Sequence, residues 1–460
     1  MTRVIAKREF AELWRDGRFR VVAVITMLLL ASSEVQAKAN ALMRGEWVNQ
    51  GDKNPHMAGH YGTFIFKPVG ALSLFDRGTE SYTGTQVFLE AHKQNDFNFR
   101  PAQDRTTASR FAELTAATIL QLLVPLLIFL LTFSAFTSER EGGTLRQTLS
   151  LGLTRRRFAL GKVAGVSFGI FAVLLPIVLL GSFALVLLGE TNGNIDLMPR
   201  FGLLVVGYLV YFATCICIGL AVSAWADSTR TALLILLVVW FVSALIVPRS
   251  STALAKAVFP TSTLQFNESV AKDFEMGIDG HASENKRNDE FKQSVLARYG
   301  VKNAKDLPIN FDGMLMQADE EYRAKVLDRR FGELWANWKN QSDLQAVSGI
   351  FMPVQAVRNF SMGISDTDLG SQQSFAQAVE SYRRQMVKTL NDDMTVNSKT
   401  GDWDYEAGRS LYEQIPDFSY RAMSVVESLK GQFISLLALV IWFAFALGLL
   451  YVTTGRMRIE

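Results

Sequence analysis

Six long apolar runs constrain this chain more than any other feature. The first covers residues 19–31 and continues as small residues toward Lys38. The others cover residues 114–136, 163–189, 201–225, 231–247 and 432–454. A helix rises about 1.5 Å per residue, so about 20 residues cross a hydrocarbon core of about 30 Å. Five of the six runs meet that length closely. The first carries Glu34 and Lys38 in its outer half, where long side chains snorkel to the far interface. It reads as a retained span rather than a cleaved signal peptide: no small-x-small cleavage site precedes a mature domain, and an amphipathic helix comes before it. The fold class that follows is an all-α membrane protein with six transmembrane helices.

Lysine and arginine beside the spans set orientation. The first 20 residues carry Arg3, Lys7, Arg8, Arg15, Arg18 and Arg20. Arg140, Arg146, Arg155, Arg156, Arg157 and Lys162 lie between spans two and three, Arg230 lies between four and five, and Arg456 and Arg458 close the chain. With six spans these segments share one side, which is expected to be the cytoplasm, with both termini inside. Residues 250–430 hold 21 Lys+Arg and 26 Asp+Glu. The net charge of +3 therefore hides a mildly acidic outer part and a basic inner one, a pattern of membrane topology and not of nucleic-acid binding. Cys215 and Cys217 sit two apart in span four, on different sides of the helix, and are not expected to pair or to bind metal.

The expected order starts with an amphipathic interfacial helix at 1–18, span one at 19–39 and an extracytoplasmic insert at 40–112. Span two at 113–137, a cytoplasmic loop at 138–162, span three at 163–189, span four at 200–225 and span five at 231–249 follow. A large, mostly helical extracytoplasmic domain at 250–431 and span six at 432–454 complete the chain. In the first helix Ala6, Phe10, Leu13 and Trp14 share one stripe, which suits a helix lying flat on the inner leaflet. The insert is expected to be helical at its ends and irregular in its middle.

No Gly-x-x-x-x-Gly-Lys-Ser/Thr loop occurs, since Val163 follows Gly161-Lys162, so ATP is not cradled in the usual way by this chain. No zinc pattern, serine-hydrolase elbow or CxxC appears. His56 and His60 have a helical metal spacing, but Pro55 and Gly59 make that stretch a loop, and no metal or other cofactor is expected. Gln121, Thr132, Ser182, Tyr208, Tyr211, Thr214, Ser223 and Ser243 are the polar residues within the spans. They either face a path or join helices by hydrogen bonds. Asp366, Asp368 and Glu380 read as caps and solvated charges.

The most informative stretch is Ser138–Lys162. Ser138 and Glu141 have capping-box spacing, Gly142-Gly143 makes a corner, residues 144–151 offer a second short helix with Leu145 and Leu149 on one face, and Thr154 can cap the helix that enters span three. Arg155, Arg156 and Arg157 oppose the dipole of the helix they begin, and anionic lipid headgroups are their natural counterpart. The run Glu139-x-Glu141-x-Gly143-Thr144-Leu145, with Arg155-Arg156-Arg157 and Gly161-Lys162 after it, resembles the cytoplasmic loop of type-2 ABC transporter permeases. Leu153-Thr154 replaces the proline that usually precedes the basic cluster. Leu307–Gly313, Ser361-Met362, Thr367-Asp368-Leu369, Ala378–Arg383 and Pro416–Phe418 resemble a bacterial subfamily of those permeases with a large extracytoplasmic domain of unknown function between the last two spans.

The resemblance implies a permease subunit in a bacterial cytoplasmic membrane. Its loop residues Glu139, Arg140, Glu141, Gly142, Gly143, Thr144 and Leu145 would couple to a separate ABC ATPase subunit, which binds ATP and Mg. A second permease subunit, identical or similar, would complete the membrane part, and the outer domain would gate the exit or recruit a periplasmic partner. The alternative is a mechanotransmitter or sensor, in which the ATPase moves the outer domain and no substrate crosses.

Overall fold

The computed structural model describes residues 2–15, scattered positions from 17 to 28, most of 63–98, 115–189, 196–278 and 282–458. Most of the first apolar run, with Glu34, Lys38, His56, His60 and the ends of the 40–112 insert, lies outside the described residues. Five described helices are long and apolar enough to cross a membrane: Ala116–Glu141, Arg155–Pro176, Leu197–Trp225, a stretch within Thr229–Met276, and Phe433–Gly455. The chain is a multi-pass, all-α membrane protein.

Helix α1 (Thr2–Arg15) opens the chain. A π-turn at Ile119–Leu123 leads into α2 (Val124–Thr132), and two short helices follow, α3 (Thr137–Glu141) and α4 (Thr144–Ser150). Helix α5 (Arg155–Gly189) is capped by Thr154, whose Oγ1 accepts from the Arg157 amide at 3.4 Å, as the sequence predicts. Helix α6 (Leu197–Trp225) lies at the centre, packed on α2, α5 and the last helix. Helix α7 (Thr229–Phe241) begins at the Ser228 cap and passes through a π-turn, Val242–Ile246, into α8 (Val247–Val258). The helix of span five therefore does not stop near residue 249. It runs on to Val258, before Pro260 separates it from α9 (Thr263–Met276).

The glycines of α5 explain how α1 docks. A Cβ at Gly161 would lie 2.7 Å from Ile5, one at Gly165 2.5 Å from Glu9, and one at Gly169 3.3 Å from Leu13. Partners advance in the same direction on both helices, four residues at a time, so the two run side by side and parallel. Phe10 closes the contact edge-on to Phe168 at 4.8 Å. The sequence places α1 flat on a leaflet. Its protein contacts run lengthwise along α5 through Ile5, Glu9 and Leu13, and Trp14 on the same helix is left exposed.

The middle of the 40–112 insert is not irregular. Strands β1 (Thr63–Phe66), β2 (Gln86–Leu89) and β3 (Phe97–Asn98) form an antiparallel sheet in that order, with Thr63 opposite Leu89 and Val87 opposite Phe97. Thr-Phe-Ile-Phe and Gln-Val-Phe-Leu are the β-branched and aromatic stretches a pleated surface favours. Val87, Leu89 and Phe97 bury against Phe375 and Val379. The turn signals around them are easier to see in the sequence than the four-residue strands.

The outer domain is helical as expected: α10 (Glu284–Tyr299), α11 (Phe311–Ser348), α12 (Pro353–Ile364) and α13 (Leu369–Asn397), followed by the final helix α14 (Phe433–Gly455). Asn310 and Asp368 cap α11 and α13, and Pro353 opens α12. The α12 helix does not stay outside the bundle. The Phe360 ring covers Gly207 of α6, where a Cβ would lie 2.4 Å away, and Gly363 sits against Gln432 at the head of α14. Trp442, midway along α14, donates its indole N–H to the carbonyl of Gly349 at 3.1 Å. Arg200 closes the top, donating to the carbonyls of Ile364 at 2.8 Å and of Met423.

Candidate functional site

The loop singled out by sequence sits at one end of the bundle, together with the start of α7 and the chain's last residues. Gly143 turns the corner with φ of 71°, a left-handed conformation that costs glycine nothing, and Gly152 repeats this at 84°. Leu145 and Phe136 are fully buried, and Phe136 meets the Phe158 ring at 5.7 Å. The apolar side of α4 thus anchors the loop to the foot of α5.

The three charged residues before the glycines each bond to another part of the bundle, Glu141 while remaining exposed. Arg140 donates to the carbonyls of Ala226 at 2.5 Å and Ala224 at 2.9 Å, and to Arg458 at 3.2 Å. It satisfies the carbonyls left open where α6 ends, and it ties in the C-terminal residues. Glu141 accepts from the Thr229 amide at 2.8 Å and from its hydroxyl at 2.8 Å, so a carboxylate sits at the positive start of α7. The expected capping box does not form. Ser138 donates to the Ser134 carbonyl instead, and Glu141 caps a helix almost ninety residues away.

Glu139 enters a buried cluster. Lys162 Nζ lies 2.6 Å from Glu139 Oε1 and 2.6 Å from Glu9 Oε2, with the lysine side chain 4% exposed. One cation thus joins α1, α3 and α5. Two carboxylates share it, and burial lifts the Glu9 carboxyl above its usual range while Lys162 pulls it back. Sequence reasoning missed Glu9, because the partners are 153 residues apart.

Gly142, Gly143 and Thr144 remain exposed, with Arg146 and Gln147 beside them, and Leu151 is 76% exposed at the end of α4. The basic cluster divides. Arg155 donates to the Gly455 carbonyl at 2.9 Å, Arg156 stacks 3.9 Å over the Tyr451 ring, and Arg157 is exposed. The first two hold α14 against α5, and the third faces outward.

Half of the eight polar residues in the spans join helices, and the other half, Ser182 among them, bond within their own. Gln121 donates to the Tyr208 hydroxyl at 2.9 Å, and Tyr208 donates to Ser361 of α12 at 3.1 Å. Tyr211 donates to the Gln121 carbonyl, and Ser223 to the Phe133 carbonyl. Thr132, Thr214 and Ser243 bond the preceding turn of their own helices. Cys215 and Cys217 are both free and buried. Among the described residues no cluster of three or more His, Cys, Asp or Glu is arranged to hold a metal.

At the opposite end, Lys67 of the insert lies 3.2 Å from Glu80, both side chains 3% exposed, and donates to the Asp366 carbonyl and the Ser371 hydroxyl. Asp76 accepts from Ser361 at 2.5 Å. Asp368 caps α13 as expected, whereas Asp366 and Glu380 are not simple solvated charges. Asp366 adopts φ of 60°, and burial pushes its carboxyl up to about 6 against the pull of Lys67 and Arg200. Glu380 pairs with Arg383 and Arg384 inside the outer domain.

The family model for ABC-2 family transporter proteins matches residues 3–294, which takes in the loop and four of the five described spans. A domain of unknown function (DUF3526) matches residues 263–421, the helices between the last two spans. No curated protein matches the chain. A match over more than half of the 460 residues, on a bundle of this kind, means that the chain belongs to the ABC-2 family of transporter proteins, the membrane components of ABC transporters.

Proposed function

We propose that this chain is the membrane-spanning subunit of an ATP-driven exporter, working with a separate ATPase subunit that binds ATP and Mg. The basic end, where α1, the α3–α4 loop and the last residues meet, faces the cytoplasm, and both termini lie there. A bacterial inner membrane and a second permease subunit complete the assembly.

One observation carries the reading. A small exposed surface is wired through charged side chains into several helices at once. Gly142, Gly143, Thr144 and Leu151 face outward, while Glu141 holds the head of α7, Arg140 the foot of α6, and Glu139 the α1–α5 pair. A partner docked on the glycine corner and α4 acts on these helices together. This divides the expected coupling residues: Gly142, Gly143 and Thr144 contact the ATPase, and Glu139, Arg140, Glu141 and Leu145 transmit. Arg157, and with it the exposed Arg156, meets lipid headgroups. The outer domain gates the exit or recruits a periplasmic partner.

The alternative, a mechanotransmitter that moves no substrate, draws on the helix that continues from α7 through α8 into contact with α11 of the outer domain. The deciding experiment co-purifies the chain with its ATPase and measures hydrolysis in proteoliposomes. Thr144→Ala with Leu151→Asp, both at exposed positions, is expected to abolish association and permease-dependent hydrolysis while the isolated subunit stays folded. Association and hydrolysis at parental levels would reject the coupling surface. Hydrolysis that no transported compound stimulates, with an outer partner retained, would favour the mechanotransmitter.

A further inference from the structure

The two long helices of the outer domain form a stalk. Helices α11 and α13 run antiparallel: Arg384 pairs with Asp328, Arg383 with Glu320, Asn391 donates to Gln317, and Gly313 meets Thr395. Near the bundle, Gln341 of α11 donates to the carbonyl of Phe259, just past the outer end of α8, at 2.6 Å. From Gln341 to Phe311 is thirty residues, about 45 Å of helix. The far end of the stalk, where α11 begins and α13 stops, is thus well removed from the spans.

A fixed loop closes that end. After α13 the chain turns at Gly401, with φ of 91°. The Asn310 side chain donates to the Ser398 hydroxyl at 2.7 Å, and the Phe311 amide to the Thr400 hydroxyl at 2.9 Å. The Gly401 amide donates to the Asp312 carboxylate at 2.7 Å, and the Tyr405 hydroxyl to that of Asp393 at 2.6 Å. Four bonds therefore hold the loop on both helices, yet its largest side chain is left out: Trp403 is 70% exposed. Val396, 69% exposed, lies one turn beyond Asp393 on the same face of α13, alongside the loop that Tyr405 ties down. Tryptophan is a favoured anchor at protein interfaces, and one carried on a loop already fixed loses little freedom on binding.

The surroundings state what kind of partner fits. Residues 391–408 hold five acids and one base, with Asp402 and Asp404 exposed on either side of Trp403, and the adjoining turn, 300–312, holds two of each. This charge repels anionic lipid headgroups and the same tip of a second copy alike. It attracts a surface whose apolar pocket is ringed by bases.

We infer that the tip of the outer domain, with Trp403 as anchor and Val396 beside it, docks a separate extracytoplasmic protein through an apolar pocket rimmed by lysine or arginine. This gives chemistry to the partner named under the proposed function, and it rests on that reading's placement of the domain outside the membrane.

The test is photo-cross-linking with p-benzoylphenylalanine at position 403 of the full chain in its native cells, products being identified by mass spectrometry. Position 339, exposed on α11 near the bundle, is the control. Position 403 is expected to give one extracytoplasmic protein with a basic surface, at least ten-fold above the control. Asp402→Lys with Asp404→Lys is expected to cut that product at least ten-fold. A product that survives the charge reversal, a homodimer of this chain, or no protein product at position 403 would each overturn the inference. The substituted positions are exposed, so no packed side chain is lost, and an unchanged elution profile checks each fold. Association with the ATPase, measured on the same membranes, reports on the coupling surface separately, so either reading can fail alone.

Discussion

The two ends of the bundle solve the same problem differently. Both use charged side chains to hold elements together. At the basic end the charges are spent mostly on backbone groups that helix termini leave open: Arg140 on the end of α6, Glu141 on the start of α7 and Arg155 on the end of α14. At the outer end side chains meet one another across elements distant in sequence, as Lys67 meets Glu80 and Ser371, and Asp76 meets Ser361. The first arrangement holds helices of a bundle in register. The second staples a β-insert to a helical domain that the bundle could otherwise have carried separately.

The largest expected effect tests the one basic-end cluster built like the outer end. Lys162→Ala leaves Glu9 and Glu139 facing each other without their cation, and removing one partner of a buried pair costs about 3–5 kcal/mol. Thermal unfolding in detergent is expected to shift markedly downward. Lys162→Met combined with Glu9→Gln and Glu139→Gln should recover most of the loss. A lysine variant as stable as the parent would mean that α1 is held by its glycine contacts alone.

Next comes the staple at the outer end. Gly78 has φ of 48°, and a Cβ there would lie 2.4 Å from the Thr367 carbonyl oxygen. Gly78→Val meets about 1–3 kcal/mol of backbone strain as well as the collision. Limited proteolysis should then cut the insert while α5 and α6 stay protected. If both regions open together, the two ends form one cooperative unit and the contrast between them is one of chemistry only.

The smallest effect is a slope. The Asp366 carboxyl sits near 6 in the folded chain, above the usual unfolded value of about 3.9, so the folded state binds the extra proton. The contribution of this group to stability is therefore fully present below about pH 4, falls as pH rises toward 6, and is level above that. Asp366→Asn keeps a residue that tolerates a positive φ and should flatten this part of the profile, leaving the variant more stable than the parent at pH 7.5. An unchanged slope would assign the titration to another group.

These two ends were not equally legible in the sequence. Apolar length gave the spans, and the glycine corner with its flanking charges marked the loop, because local patterns produce both. The direction of Arg140 and Glu141 was not legible: a helix end recruits whatever charge the fold delivers, and Thr229 is 88 residues from Glu141. Lys67 and Asp366, 299 residues apart, left no local trace at all. Helix α12 was hidden for another reason. Its twelve residues are too short for a span and interrupted by polar side chains, so hydropathy counted it with the soluble helices around it.

The run from Thr229 to Val258 has a mechanical consequence. Hydrogen-bonded helix continues through it for about 45 Å, from the Glu141 carboxylate at one end to the contacts with α11 at the other. Such a rod resists stretching, so a push at its foot arrives at its head with little loss. The place built to yield is the wider turn at Val242–Ile246, where the extra residue loosens the ladder and Pro248 just beyond it removes a further donor. Force entering at the loop would travel as translation below that turn and could be redirected above it, giving this chain a lever with a single joint.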